Sequence, residues 1–289
     1  KGLVFVFTCF LGALIACALG LGLWVWHVDQ VWSPVIEPRI QERAQIGSIR
    51  VLGQDADGQS RWIGSITAGR MEERQFLKIS ELPTQLIQSI VVLEDPRFLE
   101  HGGFDVWGIG RAMLVNLASL RFSQGGSTLT QQLVKNVFLT REKTLRRKIT
   151  ELILAAMLEH RFSKDEILES YVNEVYLGQL GAIEIHGVGR ASEYYFNKKV
   201  DQLDIHEMAL LAAMIAGPGT YNPWKAPEKT MARRNRVLKS LLDSQFILEE
   251  EYNEAIKKPL PNKSSFIAPT RAAYMMDALR ENLIETRSE

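Results

Sequence analysis

The feature that most constrains this chain is an uncharged apolar run at its N terminus. From Gly2 to Val28 there is no Lys, Arg, Asp or Glu, and most positions are Leu, Val, Ala, Phe or Trp. This run is longer than the roughly 20 residues that a helix needs to cross a bilayer. Trp24, Trp26 and Trp32 lie at its far end, where interfacial aromatic residues are expected. We therefore predict a transmembrane anchor over residues 1–28, with the rest of the chain outside the membrane.

Two cleavable signals are the alternatives to an anchor. A secretory signal peptide has a shorter apolar region than Gly2–Val28, which argues against cleavage. The segment Leu14–Cys17 resembles a lipoprotein cleavage box, but the apolar run continues well past Cys17. An uncleaved anchor is therefore favoured over both.

The composition limits the remaining classes of protein. A chain of 289 residues with 46% hydrophobic residues can bury one large core, so one anchored domain is the simplest expectation. The 34 basic residues balance the 34 acidic ones, which removes any whole-chain electrostatic argument for binding nucleic acid. Both cysteines, Cys9 and Cys17, lie in the apolar run, so the rest of the chain offers no disulfide framework and no cysteine metal site.

The pattern of apolar residues predicts a mainly α domain behind a short β-hairpin. Ser48–Gly53 and Arg61–Ile66 are strand-like, and Asp55–Gly58 between them has turn composition. Apolar residues then recur at helical spacing in Leu86–Leu93, Val106–Leu120, Leu129–Phe138, Leu145–Leu158 and Met208–Ile215. Capping boxes at Ser163/Glu166 and Asp204/Glu207 predict two helix starts, and Pro227 a third.

Polar residues gather after the first of these helices. Glu94, Asp95, His101 and Asp105 are separated by glycines, which let the backbone approach a ligand closely. A solvated helix end would explain any one of them, but their concentration favours a site.

Two further polar segments follow. In Gly125–Gln132, Ser127 is predicted to cap a helix whose free N–H groups suit an anion, with Lys135 two turns along. Arg146–Lys148 places cations near Glu151, although a solvated surface is the usual explanation of such a cluster.

Taken together, these segments resemble the peptidoglycan glycosyltransferases of class A penicillin-binding proteins, the family 51 transglycosylases. The resemblance covers about residues 45–260 and rests on five motifs in family order: Glu94–Asp105, Gly125–Gln132 continued by Lys135-Asn136, Arg147–Glu151, Ile167–Gly178, and Glu207–Pro223. The stretch Gln179–Gly187 departs from the commoner family pattern and looks more like the bifunctional branch. That branch has an extra small domain after the anchor, for which the interval from Val28 to the hairpin is too short.

The resemblance implies a fold and a location. We expect a lysozyme-like large lobe and a smaller, membrane-embedded jaw lobe with a cleft between them. The expected domains are the anchor (1–28), a juxtamembrane segment with the hairpin (29–79), the glycosyltransferase domain (80–260) and a connector toward a transpeptidase domain (261–289). No Ser-x-x-Lys occurs, so the transpeptidase chemistry itself is not in this chain. The expected location is the bacterial cytoplasmic (inner) membrane, with a single pass and the catalytic domain on the periplasmic side.

The resemblance also implies a reaction. Lipid II would be polymerised into glycan strands by inverting transfer, with release of polyprenyl pyrophosphate, and moenomycin would inhibit at the donor site. An acceptor hydroxyl needs a base, the role expected of Glu94. Glu151 is the second family carboxylate, expected to hold the cations or a metal ion in place or to assist proton movement. The expected substrate-binding residues are Asp95, His101, Ser127, Thr128, Gln132, Lys135, Asn136, Arg147, Lys148 and Asn173.

Cofactors and partners follow from the same resemblance. A divalent cation, Mg²⁺ or Mn²⁺, is allowed for without assigned ligands, and no organic cofactor is expected. His101 is favoured as a structural residue over a metal ligand, since no HExxH or paired-His spacing accompanies it. Partners would be lipid II, the growing strand, the bilayer and cell-wall synthesis proteins, but not nucleic acid.

Two other functions remain as alternatives. A lytic transglycosylase or lysozyme-like hydrolase would share the fold and a catalytic Glu, but it has no use for cations that bind pyrophosphate. A non-catalytic cell-wall scaffold would also be anchored, but it would not need the acidic and basic motif residues.

Overall fold

A computed structural model describes residues 2–45, 49–54, 60–66, 72–73, 76–119, 126–140, 142–180 and 183–262. The α-helices are α1 (Gly2–Gln45), α2 (Thr84–Glu94), α3 (Val106–Ser119), α4 (Leu129–Val137), α5 (Leu145–Arg161), α6 (Lys164–Glu174), α7 (Val188–Phe196), α8 (Ile205–Ile215), α9 (Pro227–Asp243) and α10 (Glu249–Ala255). The strands are β1 (Ile49–Gln54), β2 (Ser60–Ile66), β3 (Glu72–Glu73), β4 (Tyr176–Leu180) and β5 (Ile183–His186). Short 3₁₀ helices cover Ile79–Glu81 and Val200–Gln202. The mainly α prediction is confirmed.

The predicted helices and their start signals are confirmed. Each of the five periodic segments falls on a helix, namely α2, α3, α4, α5 and α8. At the start of α6, Ser163 Oγ accepts a hydrogen bond from Glu166 N at 3.3 Å, and Glu166 Oε2 accepts one from Ser163 N at 2.8 Å. At α8, Glu207 Oε2 accepts from Asp204 N at 2.9 Å. Pro227 is the first residue of α9.

The strands form two small sheets, of which only one was expected. β1 and β2 pair antiparallel, which confirms the hairpin, while its turn at Asp55–Gly58 lies outside the described residues. A second sheet has the order β3-β5-β4, with β3 parallel and β4 antiparallel to β5. The sequence gives little sign of this sheet, because β3 has only two residues and β4, which contains Gly178, does not alternate apolar and polar residues.

The core is built around α8. Every residue from Glu207 to Ile215 is buried, as expected of a helix that is apolar on all sides. α2 and α9 both pack against α8 and against each other. The C-terminal end of α2, where Glu94 lies, is therefore fixed by two other helices.

Helix α1 extends beyond the predicted anchor into the domain. Its second half packs on α5 and α6, and Val28 and Ile36 are buried in the core. Arg161 of α5 donates to the backbone oxygen of Ser33 at 3.2 Å. The first half carries large exposed apolar side chains, among them Phe7, Phe10, Ile15 and Leu19. Among the residues that the structure describes, no helix combines the length and the apolarity needed to cross a membrane.

The predicted connector lies almost wholly outside the described part of the chain. Residues 261–262 are described and 263–289 are not.

Candidate active site

Glu94 is the last residue of α2, and both of its carboxylate oxygens have a partner. Its Oε2 accepts a hydrogen bond from Gln132 Nε2 at 3.1 Å. Its Oε1 faces Arg233 Nη2 at 3.4 Å. The side chain is 11% exposed, so the carboxylate is held in place but can still be reached. Each carboxylate oxygen offers about two acceptor positions, which leaves Glu94 room to accept a proton from a ligand.

The orientation of Gln132 is set by Tyr171. The Tyr171 hydroxyl donates to Gln132 Oε1 at 3.0 Å. Burial raises the pKa of Tyr171 well above its usual value, and the charges of Glu94 and Asp95 add to the effect, so the phenol stays protonated. Since Tyr171 supplies the proton to the amide oxygen, the amide nitrogen of Gln132 is turned toward Glu94. A neutral, fully buried donor thus orients the partner of the expected base.

The second carboxylate, Glu151, is buried between two cations. Its side chain is 3% exposed; Oε2 binds Arg147 Nη1 at 2.7 Å, and Oε1 forms an ion pair with Lys148 Nζ. The Lys148 ammonium also donates to Ser127 Oγ and Gln131 Oε1, both at 3.0 Å. Burial of a carboxylate is unfavourable unless it is paired with cations in this way. This geometry suits Glu151 to holding cations in position.

Lys135 connects the two carboxylates electrostatically. It lies on α4 and is exposed as a whole residue, yet desolvation of its ammonium lowers its pKa below the usual lysine value. Attraction to Glu151 opposes that shift, repulsion from Lys148 and Arg147 adds to it, and attraction to Glu94 opposes it again. Gln132 bonds with Glu94, and its neighbour Gln131 bonds with Lys148, so Glu94, Glu151 and the cations Lys135, Arg147 and Lys148 belong to one site.

Asp95 and His101 form a buried pair beside this site. Asp95 is buried, and both of its carboxylate oxygens lie 3.0 Å from His101 Nε2. Asp95 Oδ2 also accepts a hydrogen bond from Leu129 N, at the start of α4, at 3.0 Å. The anion at the start of α4 is thus a side chain of the protein itself, as the charge of a helix N terminus favours.

The predicted cap of α4 was wrong by one residue. The N-cap is Thr128, whose Oγ1 accepts from Gln131 N at 3.2 Å, while Ser127 bonds with Lys148 instead. Thr128 Oγ1 also donates to Gly103 O at 2.8 Å. Thr128 therefore ties α4 to the loop after Asp95, and Ser127 is left facing the cations.

Gly103 allows that loop to lie close to α5. Its φ is +93°, and a Cβ at this position would lie 2.7 Å from the backbone of Ala155. Its carbonyl accepts from both Thr128 Oγ1 and Gln131 Nε2, the latter at 3.1 Å. A side chain here would separate the loop from both helices.

We expect Gly103→Ala to lower the free energy of unfolding by about 2 kcal/mol or more, because it combines a disfavoured φ with a backbone clash. Gly102→Ala is the matched control, since a Cβ there meets nothing within 4 Å. Denaturant unfolding of both variants measures the difference. Equal stability of the two variants would contradict the close approach.

Two further expected site residues, Asn173 and Asn136, lie on α6 and α4. Asn173 is buried; its Oδ1 accepts from Leu77 N at 2.9 Å, and its Nδ2 donates to Leu77 O at 2.8 Å and to Glu169 O at 2.7 Å. Its amide therefore holds the segment before the first 3₁₀ helix. Asn136 is exposed at the end of α4, next to Lys135.

The residue that the sequence did not reveal is Arg233. It lies on α9 among several other cations (Lys229, Arg234, Arg236 and Lys239), and nothing local distinguishes it. Gln131 was also missed, although it stands next to Gln132 in the second motif and contacts Lys148.

In the part of the chain that the structure describes, the group of potential metal ligands does not include Glu94 or Glu151. Within the described part of the chain, the group of potential metal ligands is Asp204, His206 and Glu207. Lys198 Nζ binds two of them, Asp204 at 3.2 Å and Glu207 at 2.8 Å, which offsets one of the two negative charges. His101 belongs to no such group among the described residues.

Comparison with known proteins identifies the family. Residues 59–242 match the family model described as Transglycosylase, and the chain belongs to this family. It is similar to Penicillin-binding protein 1B of Vibrio cholerae, with 40% identity over 248 residues, 84% of this chain and 31% of that protein. Penicillin-binding protein 1B of Escherichia coli is 43% identical over 225 residues, 77% of this chain and 26% of that protein. Penicillin-binding protein 1A of Aquifex aeolicus is 45% identical over 249 residues, 86% of this chain and 33% of that protein.

The match is to part of each relative. The chain spans about a third or less of the length of these three proteins. Among solved structures, the crystal structure of Penicillin-binding protein 1A from Haemophilus influenzae matches with a TM-score of 0.43 and 21% identity, over 83% of this chain and 25% of that one.

Proposed function

We propose that this chain is a peptidoglycan glycosyltransferase that polymerises lipid II into glycan strands. One observation carries the proposal: Gln132 holds Glu94, a carboxylate with spare acceptor positions, and the adjacent Gln131 holds Lys148, which with Arg147 binds the buried carboxylate of Glu151. Glu94 is suited to removing a proton, and the cations at Glu151 are suited to binding an anionic leaving group. Membership of the transglycosylase family supports the same reaction.

Glu94 is the general base of this mechanism. A sugar hydroxyl is a poor nucleophile until a base within hydrogen-bonding reach takes its proton. The oxygen then attacks the anomeric carbon of the donor strand, and the bond to pyrophosphate breaks on the opposite face. A single displacement of this kind inverts the configuration at that carbon. The proton moves to Glu94, and the electron pair leaves with polyprenyl pyrophosphate.

The leaving group is stabilised by Lys135, Arg147 and Lys148. Pyrophosphate is already a good leaving group, so it needs neutralisation of charge more than a proton. Cations fixed before the reaction supply this without reorganisation. Glu151 fixes Arg147 and Lys148, while Ser127 and Gln131 hold the Lys148 ammonium from the other side. Ser127, Gln132 and Asn136 remain proposed as donor-binding residues.

The cation set gives a direct prediction. Arg147 Nε is buried and has no hydrogen-bond partner among the described residues, so part of its donor capacity is unused. Arg147→Ala should therefore weaken donor binding and turnover together, lowering catalytic efficiency by about 10–100-fold, the effect of one charged hydrogen bond. The control is Arg146→Ala, an exposed neighbour that lies over the Trp24 ring. Equal kinetic constants for the two variants would show that Arg147 has no part in donor binding or turnover.

The residues of the site do not offer a ready place for a divalent cation. Both oxygens of Glu151 bind cationic side chains, and both oxygens of Asp95 face His101. A metal ion at Glu151 would lie beside two cationic side chains that already pair with it, so no step of the mechanism is assigned to one. Polymerisation measured with and without chelator, and with Mg²⁺ or Mn²⁺ restored, tests the requirement.

The proposal places the enzyme at the bacterial inner membrane. The uncharged run Gly2–Val28 and its exposed apolar side chains support an anchor within α1. A second apolar surface lies on α3, where Val106, Trp107 and Leu114 are exposed. We assign it to the membrane-embedded jaw of a two-lobed domain covering residues 80–260, with the cleft on the periplasmic side. Cell-wall synthesis proteins are further proposed partners.

Polymerisation of labelled lipid II tests the proposed function. The protein in detergent should convert labelled lipid II into polymer that is resolved on a gel, and moenomycin should abolish the product. Release of muropeptides from purified sacculi without polymerisation would favour the lytic alternative. Absence of both activities in folded protein would favour a scaffold.

A further inference from the structure

We infer that Arg233 is the positioning residue for Glu94, an inference that rests on the proposed function. Arg233 lies on α9, outside all five motifs, and is separated from Glu94 by 139 positions in the sequence. Its Nη2 lies 3.4 Å from Glu94 Oε1. It is the side chain that forms an ion pair with Glu94 within the described ranges of the chain.

Glu94 occupies a position that is unfavourable for a carboxylate. It is the last residue of α2, and the C-terminal end of a helix carries partial negative charge from its unpaired carbonyls. The side chain is also largely buried. A nearby cation offsets the negative end of the helix and holds the carboxylate in one orientation. The charged groups that face it are Arg233 from α9 and, at longer range, Lys135 from α4.

Arg233 is itself fixed by contacts that do not involve Glu94. Its Nε donates to Ala213 O at 3.0 Å, in the last turn of α8, where the carbonyls lack helical partners. Its guanidinium carbon lies 4.7 Å from the centre of the Tyr221 ring, within the range of a cation–π interaction. Because the guanidinium is planar, fixing Nε and one face fixes the direction of Nη2. The C-terminal ends of α2 and α8 therefore converge on one cation that is in place before substrate binds.

The arrangement explains how the base keeps a free acceptor position. Arg233 contacts one oxygen of Glu94, and Gln132 contacts the other. These two contacts restrict rotation of the carboxylate and leave lone pairs open on both oxygens. Without Arg233, Gln132 alone would hold the carboxylate, and the angle at which it meets the acceptor hydroxyl would vary. Misplacement of a reacting group by about 1 Å can lower the rate about 100-fold. Loss of Arg233 should therefore slow the chemical step and leave binding of the lipid unchanged.

The test separates kcat from KM in lipid II polymerisation. Arg233→Ala should lower kcat by about 10–100-fold while KM for lipid II changes by less than about two-fold. Arg233→Lys keeps the charge but not the planar fork, so it should recover part of the lost kcat. Arg236→Ala is the matched control, an exposed arginine on the same helix, and should behave as wild type. Thermal unfolding of each variant is measured in parallel.

Several outcomes would overturn the inference. Wild-type kcat in Arg233→Ala would remove the positioning role. A parallel loss of kcat, lipid II affinity and melting temperature would make Arg233 a structural residue only. If Arg233→Ala does not fold, Arg233→Lys decides, because wild-type kcat in that variant would show that the fork is not needed. A wild-type protein that fails to polymerise lipid II removes the proposed function and this inference together, whereas an active wild type with an active Arg233→Ala removes the inference alone.

Discussion

Glu94→Gln should abolish polymer formation while leaving lipid II binding largely intact. The substitution keeps the size of the side chain and its hydrogen bond with Gln132, but an amide cannot take the proton of the acceptor hydroxyl. Loss of a general base lowers a rate by about 10²–10⁴-fold. Elongation of labelled lipid II on a gel measures the rate, and binding of fluorescent lipid II in detergent measures affinity.

The control for this variant is Glu100→Gln. Glu100 is an exposed residue of the following loop, and its carboxylate pairs with Arg97 on the surface at 2.7 Å. The variant removes the same charge from the same region without touching the site, so its rate should match that of the wild type. Polymer formation by Glu94→Gln at the rate of this control would exclude Glu94 as the base.

The sequence predicted the parts of the molecule that depend on local patterns. Apolar spacing located α2, α4 and α5, because a helix that covers a core must repeat its buried face every three to four residues. The capping box at Ser163 correctly predicted the start of α6, because both of its partners lie within one turn of the chain. The resemblance to a family then supplied Glu94 and Glu151 as expected site residues.

Long-range contacts were beyond that kind of reasoning. Arg233 reaches Glu94 only because α2 and α9 pack side by side on α8, which no local pattern encodes. The choice of Thr128 over Ser127 as the cap of α4 is similar. Both residues can cap a helix, and the decision depends on Gly103, whose carbonyl accepts from Thr128.

Asn173 has a further long-range contact that its motif does not reveal. Its binding of substrate stays a prediction, and the structure adds that its amide bonds with the backbone of Leu77, which is 96 positions away. A buried amide that satisfies a backbone N–H and C=O together serves the fold. We therefore expect the polar residues that bind substrate to be those facing Glu94 and Glu151, of which α4 and α5 supply the larger share.

Glu151→Gln should cost both stability and activity. The change leaves Arg147 and Lys148 beside a neutral amide, so two neighbouring cations repel each other without compensation. Breaking a fully buried ion pair costs about 3–5 kcal/mol, and we expect roughly half of that here because the side chain of Lys148 is 37% exposed. Activity should fall by at least about 100-fold, since the cations lose the positions from which they stabilise the leaving group.

A double variant separates the two effects. In Glu151→Gln combined with Lys148→Met, one of the repelling cations is gone, and an apolar side chain takes the place of a charge that has lost its partner. Replacing a buried ion pair in this way is often neutral for stability, so the melting temperature should recover toward that of the wild type. Polymerisation should not recover, because Lys148 is itself needed for the leaving group. If Glu151→Gln alone keeps wild-type stability and lipid II affinity but loses turnover, Glu151 acts on a proton and not through the cations. Recovery of activity in the double variant would mean that Lys148 is not needed for the leaving group, whose stabilisation would then be assigned to Lys135 and Arg147.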